Sequence, residues 1–137
     1  TLSQENWQVV TRRHPTPPQL SDLLIAAVAC KHTRSNAVTL VREGMLIGNG
    51  GGQSSRVARC RVALWSAADP HHRDLLAGAV AASDAFFPFP DGPELLINEG
   101  IGAIVQPGGS KRDNEVIQLC NDRDVAMIFT GTRHFRH

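Results

Sequence analysis

The sequence predicts an α/β domain, and three observations predict it. Apolar residues recur at helical spacing through residues 19–32, a β-rich hairpin pattern follows over 37–48, and from Pro93 onward helix and strand patterns alternate to Phe129. The closing strand, helix, strand succession implies a parallel pair, because such a crossover returns the chain in the same direction. A length of 137 residues suits one domain with a real core.

Each element has its own warrant. Residues 1–18 are polar and carry Pro15, Pro17 and Pro18, so they read as an extended arm whose prolines set up a helix start. In the helix at 19–32, Leu20, Leu23, Leu24, Ala27 and Val28 mark a core-facing side. Residues 37–41 and 45–48 flank the turn signal Glu43-Gly44 and read as a hairpin. The run Gly48-Asn49-Gly50-Gly51-Gly52-Gln53 fits a tight loop better than a strand, since glycine takes positive φ without cost. Ser54 or Ser55 then caps a helix over 56–67. Residues 75–82 read as a small, apolar, buried segment that leads into an aromatic and proline knot at 83–92. A helix over 93–99, a strand at 103–105, a helix over 111–120 and a strand at 125–129 complete the domain.

Composition excludes several classes of function. Fourteen Lys+Arg against thirteen Asp+Glu leave a net charge of +1, which disfavours electrostatic capture of nucleic acid or of a membrane surface. The longest apolar run, residues 23–30, is far below the ~20 residues that cross a bilayer. Cys30, Cys60 and Cys120 are odd in number and far apart, which fits a reducing, cytoplasmic setting and neither a disulfide framework nor a structural zinc site. His32, His71 and His72 lack the His-x-Glu, PCxxC or HExxH context of a zinc enzyme and read as solvated or packing side chains.

Three stretches stand out as carriers of chemistry. Pro107-Gly108-Gly109-Ser110 closes a strand and opens a helix, with Asp113 in a capping position; a capped turn and a ligand site at the helix N-terminus are both open readings. The glycine-rich run through Arg56 lacks the order of a phosphate loop and is either a connection to the helix or a backbone cradle. The terminal Arg133-His134-Phe135-Arg136-His137 is either a solvated basic end or a phosphate-pairing cluster.

Taken together and in order, residues 31–36 (Lys31-His32-Thr33-Arg34-Ser35-Asn36), 48–56, 83–89, 106–110 and 129–137 resemble the C-terminal part of the PurH family of bifunctional purine-biosynthesis enzymes. That family joins phosphoribosylaminoimidazolecarboxamide (AICAR) formyltransferase to IMP cyclohydrolase, and the resemblance runs from Trp7 to His137. It implies a three-layer α/β/α, cytidine-deaminase-like subdomain without zinc, occupying residues 19–137 behind the arm at 1–18. The implied activity is transfer of a formyl group from 10-formyltetrahydrofolate, the co-substrate, to the 5-amino group of AICAR in IMP biosynthesis. The cyclohydrolase domain and the first half of the transferase domain have no counterpart in these residues.

By the same resemblance, Asn36 contacts the reacting AICAR, Arg56 and Arg133 hold the nucleotide, and Phe86 lines its pocket. Pro88, Phe89, Asp91 and Ser110 lie where the family contacts folate, and His137 matches a terminal histidine near the active site. Gly51, Ser54 and Pro90 depart from the family's usual residues. Lys31-His32 matches the family's catalytic Lys-His dyad in letters only, because that dyad belongs to the first half of the transferase domain. The implied partners are AICAR, folate, that first half and a second copy in a homodimer, since the family's sites form at a dimer interface. The alternative from a different class is a binding module that keeps the AICAR or folate pocket and performs no chemistry.

Overall fold

A computed structural model of the chain describes residues 6–52, 56–67 and 73–131, with Arg56 described by its backbone alone. Along these residues run β1 (Gln8–Val9), α1 (Pro17–Lys31), β2 (Val38–Arg42), β3 (Met45–Gly50), α2 (Arg56–Ser66), β4 (Val80–Ser83), α3 (Asp91–Asn98), β5 (Ala103–Gln106), α4 (Asp113–Asp122) and β6 (Ala126–Phe129). The strands form one mixed sheet in the order β1-β6-β5-β4-β2-β3. β4, β5 and β6 are mutually parallel, with Ala82 opposite Val105 and Gln106 opposite Phe129. The expected parallel pair is therefore present and extended by a third strand, while β2 joins β3 and β4 antiparallel.

The strand pleat sorts side chains into two cores. Val80, Ala82, Val105 and Ile128 point to the face covered by α1 through Leu23, Ala26 and Cys30. Their neighbours Ala81, Ile104 and Met127 point to the other face, where they meet Cys60 and Ala63 of α2, Leu96 of α3 and Val116 and Cys120 of α4. The described residues thus make three layers, with one helix on one side of the sheet and three on the other.

Helix α1 begins at Pro17, two residues ahead of the predicted start, because Pro17 and Pro18 occupy the first helical positions, where no N–H is needed. Thr16 and Gln19 close a capping box: the Gln19 N–H donates to Thr16 Oγ1 at 3.3 Å and the Thr16 N–H donates to Gln19 Oε1 at 2.9 Å. The arm contributes an edge strand that the sequence pattern did not mark, pairing Gln8 with Phe129 and Val9 with Ile128. It is fastened beyond the pairing, since the Met127 N–H donates to Thr11 Oγ1 at 2.9 Å and the Arg12 N–H to Asn121 Oδ1 at 3.0 Å.

The glycine-rich run corrects the expectation of a loop. Residues through Gly50 continue β3, and only Gly51 and Gly52 turn away. The glycines are needed on the strand because α2 lies directly on it. A Cβ at Gly48 would stand 2.5 Å from the Ala63 carbonyl oxygen, and one at Gly50 would overlap the Arg59 carbonyl oxygen. One extra residue in β3 between the Leu40 and Val41 pairings bends the hairpin. Among the described residues no helix is long and apolar enough to cross a membrane.

Two outcomes follow. Gly50→Ala forces α2 away from β3 and lowers stability by about 1–3 kcal/mol, read as a lower midpoint in urea unfolding. Burial pushes the thiols of Cys30, Cys60 and Cys120 up from 9.0 to about 12. Above about pH 9 the unfolded chain's thiols ionise while the folded ones keep their protons, so stability falls as pH rises from there. In native buffer at pH 8 a thiol reagent labels none of the three cysteines, and in denaturant it labels all of them.

Candidate functional site

The topology gathers the singled-out residues at one end of the sheet, where the parallel strands β4, β5 and β6 finish. In open α/β sheets that end is where ligands bind, because successive loops diverge there and leave a crevice. Because β2 runs antiparallel to β4, its start meets the end of β4, with Val38 opposite Ser83. This brings Asn36 beside the knot that begins at Ser83. Two hydrogen bonds fasten the contact: the Ala37 N–H donates to Asp84 Oδ1 at 2.8 Å, and the Asp84 N–H donates to the Ala37 carbonyl at 3.3 Å. Asp84 is buried, and its Oδ2 has no hydrogen-bond partner among the described residues.

The turn at residues 33–36 is tied to the end of β3. The Gly52 N–H donates to the Arg34 carbonyl at 2.7 Å, and Asn49 Nδ2 donates to Thr33 Oγ1 at 3.3 Å. Asn49 also reaches α2, its N–H donating to Ser66 Oγ at 2.9 Å. Asn36, whose peptide bond to Ser35 is cis, is half-buried in this turn. The glycine-rich run therefore serves as a packing strand followed by a short tie to residues 33–36.

The knot presents its aromatic rings unequally. Phe87 is fully buried, Phe86 half-buried and Phe89 exposed at 40%. Beneath it lies Arg59, 3% exposed, with its guanidinium carbon 5.5 Å from the Phe87 ring centroid. Arg59 comes one helical turn after Arg56, and that spacing was the available signal for it. Asp91 opens α3, and its Oδ1 accepts the Gly92 N–H at 2.9 Å.

The loop after β5 resolves one open reading. Its backbone donors are engaged inside the loop: the Gly108 N–H donates to Gln106 Oε1 at 2.9 Å, the Gly109 N–H to Asp113 Oδ2 at 2.8 Å and the Ser110 N–H to Asp113 Oδ1 at 3.1 Å. A loop with these donors occupied is a capped turn, and it offers a ligand the half-buried Ser110 side chain and not a backbone anion nest. Gly108 is required here, with φ at +76° and a would-be Cβ 2.6 Å from the Phe129 ring. Gln106 is fully buried at the strand end and braces the loop from below. No pattern in the sequence distinguishes it from an ordinary strand residue.

Of the predicted site residues, the structure brings Asn36, Phe86, Pro88, Phe89, Asp91 and Ser110 to this end, together with the start of α2 at Arg56. Arg133 and His137 lie outside the described residues, as do His71, His72, Ser54 and Ser55. His32 is exposed at the C-cap of α1. Among the described residues no three His, Cys, Asp or Glu side chains converge on a common point. A cleft of about 520 Å³ opens elsewhere, at the β2–β3 turn, lined by residues that include Asp22, Arg42 and Glu43. Its carboxylate is structural, since Asp22 accepts the N–H groups of Glu43 at 3.0 Å and Gly44 at 2.8 Å.

Comparison with known proteins agrees with the landmarks at this end. The family of AICARFT/IMPCHase bienzymes matches residues 1–66. The bifunctional purine biosynthesis protein PurH of Aquifex aeolicus is 49% identical over 137 residues, 100% of this chain and 27% of the relative. The protein of the same name from Rhodospirillum rubrum is 48% identical over 141 residues, covering 99% of this chain and 27% of the relative. That from Chlorobium luteolum is 46% identical over 136 residues, 99% of this chain and 26% of the relative. The chain thus spans about a quarter of the length of the curated relatives it matches.

The capped loop makes a direct prediction. Asp113→Ala leaves the Gly109 and Ser110 N–H groups without their acceptor, costs about 0.5–2 kcal/mol, and speeds amide exchange at those two positions. Amides of β5 and β6 keep their protection, and Asp113→Asn, which retains one acceptor oxygen, falls between.

Proposed function

From a chain that belongs to the family of AICARFT/IMPCHase bienzymes, we propose that this domain supplies part of the composite site that moves a formyl group from 10-formyltetrahydrofolate to AICAR. Identity of 49% over the whole chain and the convergence of Asn36, Phe86, Phe89 and Ser110 at one sheet end support the reading together.

In the proposed reaction the 5-amino nitrogen of AICAR attacks the formyl carbon, the carbon–N10 bond of the folate breaks, the amine loses a proton and N10 gains one. The Asn36 amide, donor and acceptor at once, orients the amine against that carbon. Phe86 packs against the heterocycle, and Arg56 and Arg133 hold the nucleotide with planar guanidinium forks. Pro88, Phe89, Asp91 and Ser110 receive the folate, apolar surface meeting the flat rings and the carboxylate accepting from their N–H donors. The resemblance assigns His137 a part beside the reacting groups. The base that takes the amine proton belongs to the first half of the transferase domain, which is the partner this proposal requires, within a homodimer. On this reading the setting is cytoplasmic.

The test is a formyl-transfer assay of the purified chain with AICAR and 10-formyltetrahydrofolate, alone and mixed with a first-half fragment carrying the Lys-His dyad. Turnover in the mixture only is expected, with Asn36→Ala lowering kcat by about 100-fold while KM changes little. Saturable binding of AICAR or folate without turnover in the mixture would favour a non-catalytic binding module.

A further inference from the structure

One side chain outside those assigned above is held against the proposed folate wall. Phe89 is exposed at 40%, so part of its ring is open to a ligand while the rest is packed. Arg112, the N-cap residue of α4, places its guanidinium carbon 5.0 Å from the Phe89 ring centroid, within the reach of a cation–π contact. The same guanidinium also meets Glu115 in an exposed pair, with Nη1 donating to Glu115 Oε2 at 2.8 Å. Its backbone is fixed to the same site, because the Arg112 N–H donates to Ser110 Oγ at 3.1 Å. A line of contacts therefore runs from Glu115 through Arg112 to Phe89, and Ser110 is tied to its middle member.

We propose that Arg112 is a positioning residue for co-substrate recognition: it holds the Phe89 ring in one orientation beside Ser110 and so sets the affinity of that wall for the flat aryl rings of the folate. The ligand named here rests on the formyl-transfer reading, whereas the ring contact does not. A ring already ordered loses little conformational freedom when ligand arrives.

The experiment uses the full chain with 4-fluorophenylalanine at its five Phe positions, the Phe89 signal being assigned with Phe89→Leu. In fluorine NMR, Arg112→Met is expected to shift and sharpen the Phe89 signal alone, Glu115→Gln to do so in part, and Arg112→Lys to keep it near its original place. Titration of the chain mixed with the first-half fragment by 10-formyltetrahydrofolate then gives a dissociation constant about two- to fivefold weaker for Arg112→Met. Arg112→Lys recovers affinity, AICAR binding is unaltered, and Phe89→Leu with Arg112→Met binds no worse than Phe89→Leu alone.

A Phe89 signal that ignores Arg112→Met would overturn the proposal, as would additive losses in the double variant, which would mean that Arg112 meets the folate carboxylates directly. If folate moves no signal of the unaltered chain mixed with the first-half fragment, the formyl-transfer reading falls and the ligand named here with it. The ring contact is then judged on the Arg112→Met spectrum by itself.

Discussion

The reciprocal hydrogen bonds between Ala37 and Asp84 are the constraint on which the site end depends. β2 enters the sheet where β4 leaves it, and these two bonds fix the crossing at the position where one segment brings Asn36 and the other brings Phe86. The bonds work because they are buried. Water cannot compete for the Ala37 N–H, and an unsatisfied donor there would cost about 1–3 kcal/mol. Loops that depart from strand ends can usually diverge, but here they leave from a joint that is already closed. Gln106 performs the same service one strand further along, bracing Gly108 from a fully buried side chain.

Helix and strand periodicity made most of the architecture legible. The existence of α1, of the hairpin, of the helices at the C-terminal end and of the parallel pair follows from spacings of apolar residues, because each element buries one side against the sheet. The buried side of α1 is nevertheless turned from the expected one: Ala26 is buried and Val28 exposed. β1 was not legible. Two residues carry no period, and their place comes from partners more than a hundred positions away in sequence. Glycines misled for a related reason: local preference assigns them to a loop, while Gly48 and Gly50 alternate along β3 and leave room for the backbone of α2. Period-two spacing was the signal, and it speaks of packing and not of phosphate.

The site was legible mainly as an ordered set of landmarks, and the sheet explains why that order matters. Residues 33–36, 83–89 and 106–110 are far apart in sequence and adjacent in space only through strand pairing, which no local pattern encodes. The side chains that hold the site together were harder to foresee than those that face it. Asp84, Gln106 and Arg59 are polar groups whose importance comes from burial, and burial of a polar residue in the middle of an apolar neighbourhood leaves no periodic trace. Asp113 was foreseen as a cap, and its two oxygens decide what the loop before it offers to a ligand.

The place of β1 bears on how the chain reaches this structure. Its partner strand is the last of the sheet, so a ribosome must release nearly the whole domain before Val9 can meet Ile128. Until then the β6 position has no strand and the arm no partner. The bonds of Thr11 to Met127 and of Arg12 to Asn121 fasten the short pairing where α4 and β6 meet it. A chain halted before residue 126 would leave the edge of β5 open to pairing with a neighbouring polypeptide.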